Sequence, residues 1–118
     1  MKKQRFISLL LGFLTFLGLV VLSRCAIPFE YVSITTPEDD FITFHSSIPV
    51  SGYTSIAYDY FDDIDIDFSV NNTYIDTQSS TTFFFRANLE YGYNGITVEV
   101  YKNGLYQFSK TVAVYRAY

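Results

Sequence analysis

The sequence predicts an all-β sandwich of short strands, carried behind an N-terminal apolar segment. Three observations predict it. From Tyr31 onward, no stretch of ten residues carries the 3.6-residue apolar period of a helix. Short runs rich in Tyr, Phe, Ile, Val and Thr recur instead, separated by Pro, Asn, Asp and Gly at the spacing of a sandwich or barrel. In the clearest run, Ile96, Val98 and Val100 alternate with Thr97, Glu99 and Tyr101. Alternation with period two means one buried face and one wet face, so this strand covers a core rather than crossing it.

The chain has 118 residues, enough for one domain. Its first 25 residues stand apart from that domain. Lys2, Lys3 and Arg5 form a basic opening, and an apolar run of 17 residues follows from Phe6 to Leu22. By length the run suits either a signal-peptide core or a short membrane span. Cys25 is the only cysteine, which excludes an intrachain disulfide. It follows Val21-Leu22-Ser23-Arg24, a segment that resembles the lipobox of bacterial lipoproteins. That resemblance implies that Cys25 is lipidated and becomes the mature N-terminus. Leu22, Ser23 and Cys25 fit the pattern, whereas Arg24 stands where it carries Gly, Ala or Ser. An uncleaved signal anchor and ordinary secretion are the alternative readings.

Charge separates along the chain. Four of the eight basic residues precede Cys25, and all twelve acidic residues follow it, which leaves the remainder at a net −8. Basic residues before the apolar run and acidic ones after it place the domain on the extracytoplasmic face of a cell membrane. Such an acidic domain repels phosphate, so nucleic acid is excluded as a nonspecific partner.

Residues 26–30 form a tether in which Pro28 discourages helix. Tyr31–Ile34 is the first short run. Thr36-Pro37-Glu38-Asp39-Asp40 then turns on its proline, and Phe41–Phe44 is the second run. Ile48 and Val50 point inward from the third, with Pro49 at an edge or a gap in the ladder. After Ile56–Tyr58, the strand 64–70 buries Ile64, Ile66, Phe68 and Val70 and wets Asp65, Asp67 and Ser69. Asn71-Asn72 turns it, because Asn tolerates left-handed backbone, and Tyr74-Ile75 returns. The strand 82–89 buries Phe83, Phe85, Ala87 and Leu89. Arg86 decides that facing, since an unpaired guanidinium in the core is too costly. Gly92 and Asn94 make a corner before the strand of Ile96, Val98 and Val100. Lys102-Asn103-Gly104 is a hairpin turn. The closing strand, 106–115, buries Val112 and Val114, with Lys110 marking a bulge or snorkelling outward.

The succession Ile48-Pro49-Val50-Ser51-Gly52, Phe68-Ser69-Val70-Asn71-Asn72, Phe85–Leu89, Gly92-Tyr93-Asn94, Ile96-Thr97-Val98 and Val112-Ala113-Val114 resembles the bacterial immunoglobulin-like domains. It is similar to the type attached to glucodextranase-like hydrolases and found in bacterial surface proteins. The resemblance covers most of residues 31–116 and implies a seven-stranded immunoglobulin-like β-sandwich over 31–118. Asn72 stands where the family carries Gly. The resemblance also implies that Asn94 satisfies backbone groups at the corner.

Candidate sites are few. The acidic run from Asp59 to Asp67 is the best candidate for chemistry, but it reads first as a solvated strand face that keeps an edge soluble. Calcium at Asp59, Asp62 and Asp63 is the alternative, since calcium takes six to eight oxygens, although the spacing is not that of an EF-hand. His45 reads as a turn residue, with no catalytic partner singled out, so no enzyme is expected. All 11 tyrosines follow Cys25. Tyr91 and Tyr93 flank the corner and Tyr101 faces outward, which makes them candidates for binding a protein or a glycan. Cross-strand tyrosine pairing is the structural alternative. The expected function is a noncatalytic, membrane-tethered cell-surface module. The second reading is an assembly subunit that pairs through an edge strand.

Overall fold

A computed structural model describes residues 29–118. The signal or anchor segment and Cys25 with its lipidation lie outside the described residues. Eight strands follow in order: β1 (Tyr31–Thr36), β2 (Phe41–Thr43), β3 (Ser47–Ser55), β4 (Ile64–Val70), β5 (Thr73–Gln78), β6 (Thr82–Asn88), β7 (Gly92–Lys102) and β8 (Leu105–Arg116). They form a three-stranded sheet, β1-β3-β6, and a five-stranded sheet, β2-β8-β7-β4-β5.

Period two dictates the core. Ile64, Ile66, Phe68 and Val70 are buried, as are Phe83, Phe85, Ala87, Leu89, Ile96, Val98, Val100, Val112 and Val114. Each of these was expected inside. The sheets meet where the Phe68 and Phe85 rings stack, with centroids 4.5 Å apart and planes 6° from parallel. Two large apolar side chains thus exclude water at the centre of the sandwich.

The strand count differs from seven because the first strand is divided. β1 pairs antiparallel with β3 as far as Thr36–Ser51. The chain then turns through the cis Thr36–Pro37 peptide, and β2 pairs parallel with β8. One edge segment therefore serves both sheets. The division also explains Pro49, which faces Arg86 of β6 on one side. On the other side β1 has already left, so its missing N–H falls in a ladder gap. Ile56–Tyr58 is not a strand; it lies in the β3–β4 loop, although Ile56 is buried.

The turns follow their residues. Asn71 and Asn72 have φ of 52° and 65°, and Asn103 and Gly104 have 53° and 79°. Two positive φ values match the right-handed twist of a two-residue hairpin. The bulge in β8 lies at Gln107, since Val100 opposes Phe108 while Tyr101 opposes Tyr106. Lys110 is not in the bulge; it sits exposed opposite Val98. Gly52 is required by close approach, because a Cβ there meets the Ser33 carbonyl and lies 2.6 Å from Phe83 Cζ.

Candidate binding surfaces

Strand directions give the sandwich two poles. The chain enters at one: Ser55 Oγ donates to the Phe29 carbonyl (3.3 Å) and the Ala57 N–H donates to Glu30 (3.0 Å). This entry pole also holds the β3–β4 loop, the β5–β6 loop and the β7–β8 hairpin. The far pole holds the β2–β3 turn, the Asn71-Asn72 hairpin and the corner between β6 and β7.

Asn94 organises the far pole. It is buried, and its Oδ1 accepts from the Glu90 N–H (2.9 Å) and from Asn71 Nδ2 (2.9 Å). Its Nδ2 donates to the carbonyls of Glu90 (2.9 Å) and Gly92 (3.0 Å). One amide thus satisfies groups that the corner leaves without ladder partners, the role the resemblance implied.

Around this hub stand the aromatics. Tyr91 stacks on Tyr118, with centroids 4.4 Å apart and 14° between planes. The Arg116 guanidinium lies over the Tyr91 ring at 4.0 Å, a cation–π distance. Arg116 Nη1 donates to the Leu89 carbonyl (2.9 Å). Tyr93 meets Tyr115 edge to face at 4.9 Å. Register places Ile42, Tyr115 and Tyr93 side by side across β2, β8 and β7, and Phe44 is exposed in the turn beyond β2. Each of these tyrosines therefore has an aromatic partner, across the strands for Tyr93 and Tyr115 and beyond the strand ends for Tyr91 and Tyr118.

Tyr101 does not join Tyr91 and Tyr93. It lies eight residues along β7 from Tyr93, roughly 26 Å at strand rise, and packs edge to face on Tyr106 at 5.9 Å. Repulsion from Glu99, together with burial and Asp67, holds its phenol above the ordinary value. Sequence reading passed over Arg116 and Tyr118. Their signal was the exit of β8 beside the corner, which becomes informative only once β7 and β8 are paired.

The calcium expectation meets a different geometry. Asp59 Oδ1 accepts the Phe61 N–H (2.9 Å), and Asp62 Oδ2 accepts the Asp59 N–H (2.9 Å). Asp62 Oδ1 accepts from Asn103 Nδ2 (2.9 Å), and Lys102 Nζ lies 3.6 Å from Asp62 Oδ2. The Asn103 bond, then the Asp59 N–H, hold the Asp62 carboxyl below the usual carboxylate range. These oxygens fold the loop, and Asp59, Asp62 and Asp63 do not converge on a shared point. Among the described residues, no three acidic, His or Cys side chains are placed to hold a metal ion. An open cleft of about 600 Å³ lies beside the loop, lined by Tyr58, Asp63, Asp65, Ser79 and Ser80 among others. His45 stands in the β2–β3 turn, as expected, with its backbone N–H on Thr43 Oγ1 (3.1 Å).

No protein-family model matches the chain, and no curated protein matches it. Among solved structures it is similar to one described as "Structures of Clostridium thermocellum CbhA fibronectin(III)-like modules", with a TM-score of 0.60 and 17% identity. The match covers 74% of this chain and 97% of that one. The chain is thus an all-β sandwich of the immunoglobulin-like kind, with the fold of a fibronectin(III)-like module from a bacterial protein.

Proposed function

We propose that this chain is a noncatalytic immunoglobulin-like module, held on the extracytoplasmic face of a cell membrane by its N-terminal segment. It binds a protein or a glycan through the tyrosines of its far pole. The observation that carries this reading is the grouping of Tyr91, Tyr93, Tyr115 and Tyr118 at the pole opposite chain entry. Their rings are braced by neighbours, so binding immobilises little that is not already ordered. Phe44 and Ile42 extend the same exposed apolar area.

Three of the four sheet edges support the assembly reading less. β2 has three residues, and β5 is interrupted opposite Phe68/Ser69. A side chain bonds the outer edge of β6. Short, interrupted or covered edges are poor templates for strand addition.

An array of glycans and bacterial surface proteins, probed with the full chain, tests the proposal. The expected result is at least one ligand whose binding falls tenfold or more in Tyr93→Ala. Interactions left unchanged by both Tyr91→Ala and Tyr93→Ala return these rings to a purely structural role.

A further inference from the structure

The entry pole carries a second group of exposed aromatics with a different geometry. Tyr60 is 93% exposed, Phe61 85% and Phe29 87%. The Tyr60 and Phe61 rings meet edge to face at 5.3 Å and 81°, forming the tip of the β3–β4 loop. Water-exposed side chains of this size normally fold back onto a surface. Here the loop holds them out. Asp59 and Asp62 close the turn beneath them, Asn103 accepts from the Asp63 N–H (2.8 Å), and Lys102 donates to the Ala57 carbonyl (2.8 Å).

We propose that this tip is a membrane contact, with Tyr60, Phe61 and Phe29 seated in the headgroup region of the bilayer that holds the chain. This rests on the membrane-held reading above. Chain length argues for that occupant over others. From Cys25 to Phe29 is four residues, a reach of at most about 14 Å, and from Leu22 about 25 Å. Phe29 is itself hydrogen-bonded to the end of β3 at this pole. Lipidation at Cys25 and an uncleaved anchor therefore both bring this pole, and not the far one, against lipid.

The chemistry fits an interface. Tyr and Phe bury ring area there, and the tyrosine hydroxyl stays among headgroups. The acidic side chains set the lipid preference. The carboxylates of Asp59 and Asp62 turn back onto the loop, while Asp63 and Glu30 at the same pole are exposed. The contact consequently favours zwitterionic over anionic lipid. It also directs the Tyr91–Tyr93 pole away from the membrane.

The chain has no tryptophan, so a single introduced indole reports one position. The full chain is reconstituted in phosphatidylcholine liposomes as Phe61→Trp, Tyr60→Trp or Tyr93→Trp, with and without lipid brominated in its acyl chains. The expected result is blue-shifted emission and at least twofold quenching for F61W and Y60W, with Y93W unquenched. Adding phosphatidylglycerol weakens the quenching. Flotation of the same liposomes reads tethering separately. Chain that fails to float overturns both the tethering and the contact. Floating chain with F61W and Y60W unquenched overturns the contact alone. A blue shift without quenching assigns the tip to a protein neighbour or a second copy, and quenching of all three variants makes the domain lie flat; either result overturns the proposal.

Discussion

The carboxamide of Gln78, the last residue of β5, bonds both backbone groups of Phe84 in β6: Nε2 donates to the Phe84 carbonyl (2.8 Å) and Oε1 accepts its N–H (3.0 Å). β5 edges one sheet and β6 edges the other, so this side chain stands in for a ladder partner and closes the sandwich along that side. Gln78→Leu removes both bonds and bares the edge. Because the groups can turn to water, the stability loss is about 1 kcal/mol. The larger effect is self-association that rises with concentration, read by analytical ultracentrifugation.

Phe84 and Phe85 are neighbours with opposite fates. Phe68→Ala and Phe85→Ala each remove half of the inter-sheet ring stack and cost roughly 3–5 kcal/mol in urea unfolding. Phe84→Ala, on the outer face, changes stability by about 0.5 kcal/mol or less. Equal losses at 84 and 85 contradict an outward Phe84 and an inward Phe85.

Asn94→Ala leaves the partly buried corner groups of Glu90 and Gly92 without their side-chain partner. The expected cost is about 2–3 kcal/mol. Hydrogen exchange at the Glu90 amide rises with it. Asn72→Gly, at a φ of 65°, is neutral or stabilising by a few tenths of a kcal/mol.

Gly52→Ala forces a methyl group against the Ser33 carbonyl, a backbone atom held in the β1–β3 ladder. Strand β1 must shift. The variant loses about 1–3 kcal/mol in urea unfolding, with increased exchange at the amides of β1.

Among the described residues, one carboxylate contributes identifiably to acid stability. The Asp62 carboxyl titrates below its usual range when folded, chiefly through Asn103. A depressed folded-state value gives stability that is present above the unfolded-state pKa, near 3.9, and lost as pH falls through the folded one. Asp62→Asn therefore flattens the stability loss below about pH 4, measured by thermal melts across pH. An unchanged acid limb rules out this carboxylate as a contributor.

The buried faces of Ile64–Val70, Phe83–Leu89 and Ile96–Val100 were legible in the sequence, because side chains alternate wherever a strand forms. The two Asn-based hairpins were equally legible, since positive φ is a property of the turn residues themselves. The candidate site was legible only in part. Tyr91 and Tyr93 were singled out with Tyr101, which lies at the other end of the same strand. Their actual neighbours, Tyr118, Arg116 and Tyr115, come from β8 and its exit. The acidic loop was read as a possible ion site because its oxygens were counted without the N–H groups they serve.

The sequence by itself determined which side chains face inward, where the chain reverses, and that charge divides at Cys25. These depend on residues within a few positions of one another. The tertiary structure alone decided that the first strand divides between two sheets, that Gln78 closes the β5–β6 side, and that the aromatics collect at two opposite poles. Those outcomes rest on cross-strand register, which joins residues far apart in the chain. Local patterning constrains register without specifying which distant side chains it brings together.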